Sequence, residues 1–284
     1  MSGTKGYREF FTRPGPVLVV LALLLAGALP AGEAGAAEES ETELAKKTQN
    51  PVADLISVPF QSNFNFNTGT KDTTVYVLNV QPVIPIKLTE DWNLITRTIM
   101  PIINQPSLFP GPESISGSAF GLGDINPTFF LSPAKSGAFI WGVGPTFTFP
   151  TATDSKLGSR EYSMGPAAVA LTIQGPWVLG ALMNQQWSFA GWGDQSVSQM
   201  LIQPFVNYNL PHGWYLSTSP IITANWEADS GNQWTVPVGG GVGKLFKLGK
   251  LPVNTQLQAY SNVEHPRFGA DWQLRFQIQF LFPK

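Results

Sequence analysis

The chain has 284 residues, and charged residues make up 13% of it, about half of the share that a soluble globular domain carries. Its formal net charge of −2 gives no basic field of the kind that gathers phosphate backbones, so nucleic acid is excluded as an expected partner. The sequence contains no cysteine, which excludes disulfides, thiolate metal sites and a lipidated cysteine anchor.

The first residues have the pattern of a secretory signal peptide. Lys5, Arg8 and Arg13 precede an apolar run of about thirteen residues. A bilayer-spanning helix needs roughly 20 apolar residues, so this run is too short to be a membrane anchor. Ala34-Gly35-Ala36 then offers the small-x-small pattern of a cleavage site. We predict that residues 1–36 are removed on export and that cleavage falls near Ala36.

Residues 37–54 form a charged segment that is poor in aromatic residues. We expect one short helix there, ending before Pro51, because the residue before a proline disfavours the helical conformation. In an exported chain this segment would lie in the periplasm. The sequence leaves open whether it plugs the mouth of the domain that follows.

From Leu55 onward the chain alternates apolar and polar residues, the period of a β-strand with two different faces. The last strand shows the pattern at its clearest, with Gln or Arg between the members of an apolar row: Trp272, Leu274, Phe276, Ile278, Phe280 and Phe282. Turn residues divide residues 55–284 into about twelve such strands, and no helical pattern separates them.

Two regularities indicate how these strands are arranged. Short links such as QGP and PHG alternate with longer polar ones, so the short links fall at one end of the sheet. Tryptophans also form two groups, a pattern typical of membrane interfaces. Trp92, Trp177 and Trp214 follow short links, while Trp187, Trp226, Trp234 and Trp272 lie near the longer loops. Outer-membrane barrels have this asymmetry, with short periplasmic turns and longer extracellular loops.

The composition of the polar face decides between a soluble sandwich and a membrane barrel. That face is mostly Asn, Gln, Thr, Ser and Gly, whereas a soluble sheet presents Lys and Glu to water. The apolar face is almost free of charge, with Lys244 as the exception. The sequence therefore predicts an all-β fold, a transmembrane antiparallel up-and-down β-barrel of about twelve strands, with lipid outside and a hydrated lumen inside.

In-strand prolines oppose this prediction, because each removes a donor from the ladder of hydrogen bonds. We expect bulges or lumen water at these positions. They are Pro59, Pro82, Pro101, Pro127, Pro145, Pro166, Pro204, Pro220 and Pro237.

The alternation also predicts which side chains line the lumen. The polar candidates are Lys87, Arg97, Asp124, Arg275, Gln81, Asn126, Gln203 and Gln277. Arg97, Asp124 and Arg275 could form a charged constriction that selects solutes, or an ion-pair network that fills the barrel. Twelve strands lie between the filled eight-stranded barrels and the open ones of 16–18 strands, so any pore should be narrow. Apolar inward residues favour a modestly apolar solute: Ile95, Ile99, Phe130, Ile140, Leu201 and Phe205.

Several longer motifs resemble a family of bacterial outer-membrane β-barrels. They include EDWNLITRTIMP, FGLGDINPTFFLSP, WGVGPTFTFPTATD and DWQLRFQIQFLFPK, and the resemblance extends over nearly all of the mature chain. The family is that of transporters assigned to the meta-pathway of phenol degradation, often mislabelled neuromedin U. The last strand, with Phe276, Phe280 and Phe282, is also similar to the C-terminal targeting signal of outer-membrane proteins. These resemblances imply a barrel of a Gram-negative outer membrane, inserted by the barrel-assembly machinery and surrounded by outer-membrane lipid.

The resulting functional hypothesis is a channel for passive passage of small solutes, including aromatic or weakly hydrophobic ones, without catalytic residues, metal or cofactor. Two alternatives stay open. One is a lipid hydrolase at the barrel rim that uses Ser261 and His265. The other is a plugged structural barrel in which the loop from Asn104 to Gly121 binds a partner at the surface.

Overall fold

The structure is a computed structural model that describes residues 35–112, 117–135 and 137–282. Residues 1–34, which hold most of the predicted signal peptide, lie outside these ranges. Within the described ranges, no helix is both long enough and apolar enough to cross a membrane.

The described residues form one helix and fifteen strand segments. Helix α1 covers Gly35–Thr48. The strand segments are β1 Ile56–Thr68, β2 Thr73–Val80, β3 Val83–Lys87, β4 Trp92–Gln105, β5 Ala119–Leu122, β6 Asn126–Pro133, β7 Ile140–Thr148, β8 Glu161–Gln174, β9 Trp177–Gly191, β10 Ser198–Asn209, β11 Trp214–Thr218, β12 Ile222–Asn225, β13 Trp234–Leu248, β14 Leu251–Glu264 and β15 Trp272–Phe282. Segments β2 and β3, β5 and β6, and β11 and β12 each make one interrupted strand.

The strands close into a ring. Each strand pairs antiparallel with the next one along the chain, and β15 returns to pair with β1 from Ile56–Phe282 to Phe66–Trp272. The described residues therefore form a closed antiparallel barrel of twelve strands, which confirms the predicted fold class. Closure satisfies the backbone groups that an open sheet would leave unpaired at its two edges.

Links of two to six residues join strands at one end of the barrel, which we call the short-turn end. They are residues 88–91, 134–139, 175–176, 210–213 and 249–250. Gly175 has a φ of 56° and opens the two-residue turn before Trp177, a position where hairpins of this length require a positive φ. The opposite end, the long-loop end, carries longer links such as 149–160 and 265–271.

The two faces of the wall differ in burial as the alternation predicts. In β15, Arg275 and Gln279 point into the barrel and are buried, whereas Phe276 and Phe282 point outward and are exposed. Trp92, Trp177 and Trp214 are exposed at the short-turn end. Trp187, Trp226, Trp234 and Trp272 lie toward the long-loop end. The Nζ of the outward Lys244 lies 4.7 Å from the centre of the Trp214 ring, near the short-turn end.

The in-strand prolines are accommodated in more than one way. Pro237 lies at a register shift between β13 and β14, and Pro82 and Pro220 lie at the breaks between β2 and β3 and between β11 and β12. Each of the remaining six is paired with a residue of a neighbouring strand: Pro59, Pro101, Pro127, Pro145, Pro166 and Pro204. Irregular pairing therefore accompanies only some of the prolines, and lumen water at the others stays a prediction.

Candidate functional site: the bore of the barrel

A cavity of about 750 Å³, lined mostly by polar residues, occupies the bore toward the long-loop end. Its wall combines inward residues of the strands with residues of two loops at the long-loop end. Exposed Arg267 and Phe268 belong to the β14–β15 loop, so the cavity reaches solvent at that end. The strand residues and strand connections that line it include Gln61, Asn79, Gln81, Arg97, Ile99, Asn126, Thr128, Thr148, Asn184, Gln186, Leu201, Gln203 and Ile221.

Arg97 brings a cation into the wall of this cavity. It lies on β4, and its Nη2 donates a hydrogen bond of 2.7 Å to the Oε1 of Gln81. Gln81 is 5% exposed and directly precedes the break at Pro82. Among the described residues, no carboxylate lies within salt-bridge range of Arg97. The guanidinium thus keeps donors that no side chain of the described chain uses.

Asn126, two residues before Thr128 on β6, connects polar side chains of the cavity wall. Its Nδ2 lies 2.6 Å from the backbone oxygen of Phe147 and 3.0 Å from the Oγ1 of Thr148. The hydroxyl of Thr148 donates in turn to the Oε1 of Gln186 at 2.8 Å. These bonds fix the polar lining across β6, β7 and β9.

One side of the bore is filled by hydrogen-bonded polar side chains, which we call the amide network. Arg275 is 2% exposed; its Nη1 donates to the backbone oxygen of Ser219 at 2.9 Å, and its Nη2 donates to the Oε1 of Gln273 at 3.0 Å. Its guanidinium also lies 4.9 Å from the centre of the Tyr260 ring. The amide of Gln258, 1% exposed, donates to Ser219 at 3.2 Å.

The amide network continues toward the short-turn end. The Tyr215 hydroxyl donates to the Oδ1 of Asn254 at 2.9 Å, and the Nδ2 of Asn254 donates to the Oε1 of Gln279 at 3.1 Å. All three side chains are buried. Gly243 faces Tyr215 so closely that a Cβ would fall 2.1 Å from a ring atom, which explains why glycine occupies this inward position.

The opposite side of the bore is filled by apolar side chains, which we call the apolar cluster. Every member is between 0% and 6% exposed, so water does not reach the bore at this level. Its wall residues come from β4, β6, β8, β9 and β10: Ile95, Phe130, Ala167, Val169, Leu171, Val178, Leu182 and Phe205. Its remaining member is Val52, which belongs to no strand.

Residues 45–55, which we call the N-terminal plug, cross the bore at the short-turn end. Ala45 and Leu55 pack against Leu245 and Leu281 on one wall, while Val52 enters the apolar cluster on the other. Between them, the side-chain amide of Gln49 exchanges two hydrogen bonds with that of Asn209 in β10, at 2.9 Å and 3.1 Å. The plug consists of the end of α1 and the turn that follows it.

The plug leaves little free space around Val52. Gly142 of β7 faces it, and a Cβ at Gly142 would lie 3.2 Å from the Cγ1 of Val52 and 3.1 Å from the Cβ of Phe130. Contacts of that length are tighter than ordinary packing allows. Glycine at this position therefore makes the room that Val52 occupies.

The predicted lumen residues do not form one cluster. Gln81, Arg97, Asn126 and Gln203 line the cavity. Arg275 belongs to the amide network, and Gln277 follows it on the same inward face of β15.

Lys87 is exposed at the short-turn end, where β3 ends. Asp124 lies at the opposite end, where its Oδ2 accepts hydrogen bonds from the backbone nitrogen and the hydroxyl of Ser159 at 2.7 Å and 3.0 Å. Arg97, Asp124 and Arg275 therefore form neither a ring of charges nor an ion-pair network within the described chain.

Sequence reasoning missed three groups of bore residues. Val52 and Gln49 carry no periodic signal, since they lie in a short segment between a helix and a strand. Arg267 and Phe268 lie in a loop, where alternation says nothing about direction. The amide network was visible only as an excess of Gln, Asn and Ser on inward positions, because pairing depends on the register between strands.

The Ser261 and His265 pair lacks the contact that a nucleophile and its base need. The exposed Ser261 points outward from β14, and no hydrogen bond joins it to His265 in the described residues. The Nδ1 of His265 lies 2.9 Å from the backbone oxygen of Pro266, and its Nε2 lies 3.6 Å from the Oδ1 of Asp271. Within the described residues, no group of three or more His, Asp or Glu side chains is placed to hold a metal ion.

Comparison with known proteins gives the fold and leaves the family open. No family model and no curated protein matches the chain. Among solved structures, the COG4313 outer membrane channel from Pseudomonas putida F1 is similar, with a TM-score of 0.59 and 18% identity over 90% of this chain and 100% of that one. Outer membrane phospholipase A from Escherichia coli has a TM-score of 0.41 and 14% identity over 88% and 99% of the two chains. At these identities the first likeness shows an outer-membrane barrel fold, the second carries no argument, and the phenol-pathway family stays a prediction.

Proposed function

We propose that this chain is a channel of a Gram-negative outer membrane that takes small solutes into the bore cavity and releases them when the N-terminal plug shifts. One observation carries the proposal: a cavity that opens at the long-loop end is closed toward the short-turn end in part by the N-terminal plug, which is not part of the barrel wall. About 750 Å³ lies within the range of small-molecule sites in proteins.

The chemistry of the closed level favours opening beside the plug. Val52 joins the apolar cluster through dispersion and burial alone, so its withdrawal costs about 2 kcal/mol. The two reciprocal amide bonds between Gln49 and Asn209 together add about 1 kcal/mol. These magnitudes are small enough for a plug that moves while the wall stays intact. In the membrane, the short-turn end would face the periplasm, as in other barrels of this class.

Conductance and solute flux of the purified full chain test the proposal. We expect small, discrete conductance steps in planar bilayers and slow uptake of small solutes into liposomes. Val52→Asp should raise both severalfold, because a carboxylate cannot stay in a dry apolar cluster and the plug would leave the bore. Deletion of residues 38–53 should raise them in the same direction.

Val52→Ile is the matched control, since it keeps an apolar side chain at the same position and should leave conductance near that of the parent chain. Folding of each variant is checked by its resistance to unfolding in detergent. A folded parent chain and a folded Val52→Asp variant that both pass no ion and no solute would contradict the channel proposal.

A further inference from the structure

We propose that the bore cavity contains a carboxylate-binding subsite centred on Arg97, and that the preferred solutes are small monocarboxylates with an apolar body. The inference rests on the channel proposal for its transport consequence. Binding itself can be measured without transport, so the two proposals can fail separately.

The charges of the cavity are of one sign. Arg97 and Arg267 line it, and none of the described residues that line it is acidic. A solute that enters the cavity therefore meets two guanidinium groups, one in the wall and one at the mouth. Guanidinium groups present planar pairs of donors that match the geometry of a carboxylate.

Comparison with Arg275 shows that Arg97 is the arginine available to a ligand. Arg275 donates through both terminal nitrogens, to Ser219 and to Gln273, and its unbonded Nε is buried with the rest of a side chain that is 2% exposed, so a solute does not reach it. Arg97 is half-buried in the cavity wall and has one hydrogen bond, to Gln81, within the described residues. Gln81, itself buried, holds the guanidinium while leaving further N–H groups for a solute.

The remainder of the lining suits an apolar body with few polar groups. Ile99, Leu201 and Ile221 contribute apolar surface from three strands or their connections, and Phe268 contributes an aromatic ring at the mouth. Asn184 and Gln203 line the same cavity. A carboxylate held at Arg97 would thus have both an apolar wall for its chain and amides for its second oxygen.

A second pocket at the long-loop end argues for a single negative charge. It shares Gln199, Asn225, Ala228 and Asn232 with the cavity, so the two lie side by side. Three carboxylates line it, Asp194, Glu227 and Asp229, against one cation, Arg160. Acidic groups beside the cavity repel multiply charged anions such as phosphate esters more strongly than monocarboxylates.

Equilibrium dialysis of radiolabelled hexanoate and of hexanamide against the full chain in detergent tests the subsite, with empty micelles as the blank. The two probes have the same apolar body and differ in charge. We expect hexanamide to bind the parent chain about tenfold or more weakly than hexanoate. Arg97→Gln should weaken hexanoate binding about ten- to a hundredfold and leave hexanamide binding unchanged. Arg97→Lys should fall between, because an ammonium keeps the charge and loses the planar fork.

Lys135→Gln is the matched control: it removes one positive charge from an exposed turn, where the Lys135 side chain is 84% exposed, and should bind hexanoate like the parent chain. Equal binding of the two probes, or undiminished hexanoate binding in folded Arg97→Gln, would overturn the subsite. Charge-dependent binding at Arg97 without any flux into liposomes would support the subsite and count against the channel. If the chain passes and binds hexanoate and hexanamide equally, the channel proposal stands and the subsite proposal fails.

Discussion

The two sides of the bore are filled by side chains of different chemistry. On one side, the apolar cluster packs Ile95, Phe130 and Val52 with other apolar side chains and holds no polar atom that needs a partner. On the other, the amide network fills the space with Arg275, Gln258 and their hydrogen-bonded neighbours. Either side excludes water.

The difference shows which side can open. Separating the amide network would break several hydrogen bonds, some of them to a buried cation, and each lost bond of that kind costs about 1.5–3 kcal/mol. Separating Val52 from the apolar cluster breaks no hydrogen bond. We therefore expect the amide network to stay fixed and the apolar side, where the N-terminal plug enters, to move.

The largest expected loss of stability comes from a substitution in the apolar cluster. Phe130→Ala should lower the free energy of unfolding by about 4 kcal/mol, since it removes a fully buried ring and leaves a cavity among its neighbours. Reversible unfolding in urea with lipid vesicles measures it. Phe129→Ala is the matched control, because Phe129 is adjacent on β6 and points outward. Equal losses for the two variants would mean that the cluster does not pack as described.

A substitution in the amide network should cause the next largest loss of stability. Arg275→Ala should cost about 3 kcal/mol, because the acceptors on Ser219 and Gln273 lose a charged donor inside a dry region. Gln277→Ala, two residues along the same inward face, should cost less than about 1 kcal/mol, as no hydrogen bond holds its side chain in the described structure. The same urea titration measures both. A loss of stability for Arg275→Ala no larger than that for Gln277→Ala would show that the amide network does not stabilise the barrel as described.

Loosening the plug should have the smallest effect on stability and a clear one on gating. Gln49→Ala should cost about 1 kcal/mol, since it removes the reciprocal pair with Asn209. Because that pair ties the plug to β10, the open probability in single-channel recordings should rise about fivefold. Lys47→Ala is a control on the neighbouring turn of α1. An unchanged open probability in Gln49→Ala would contradict a role of the plug in gating.

The barrel wall was predictable because its signals are local. Alternation along β15 assigned Arg275 inward and Phe276 outward without any knowledge of neighbours, and the run of short links fixed which ends lie together. Strand number followed from the same turn residues. Pairing partners were not predictable: alternation places Arg97 and Gln81 on the same face, but the bond between them depends on the register of β3 against β4.

The plug was not predictable for a different reason. Its contacts join Ala45 and Leu55 to Leu245 and Leu281, residues almost two hundred positions or more away in the chain. Nothing in the local pattern of residues 45–55 distinguishes a segment inside the bore from one beside it. Charged neighbours on α1 instead favour an exposed helix, and only the shape of the closed wall shows where the apolar residues fit.

We expect the outer face of the wall to meet lipid, the bore to hold water toward the long-loop end, and the apolar cluster to be dry. Three consecutive residues of β9 sample these environments: Leu182 is in the apolar cluster, Met183 is 50% exposed on the outside, and Asn184 lines the cavity. The chain has no cysteine, so each can be replaced singly by cysteine without background.

Thiol labelling of these three variants in intact outer membranes is the most direct test. We expect a charged, membrane-impermeant reagent to modify Asn184→Cys quickly, a lipid-soluble reagent to modify Met183→Cys, and both to modify Leu182→Cys slowly. Rapid modification of Met183→Cys by the charged reagent, with Asn184→Cys protected from it, would contradict the account, because the apolar face would then lie in water and the polar face would not.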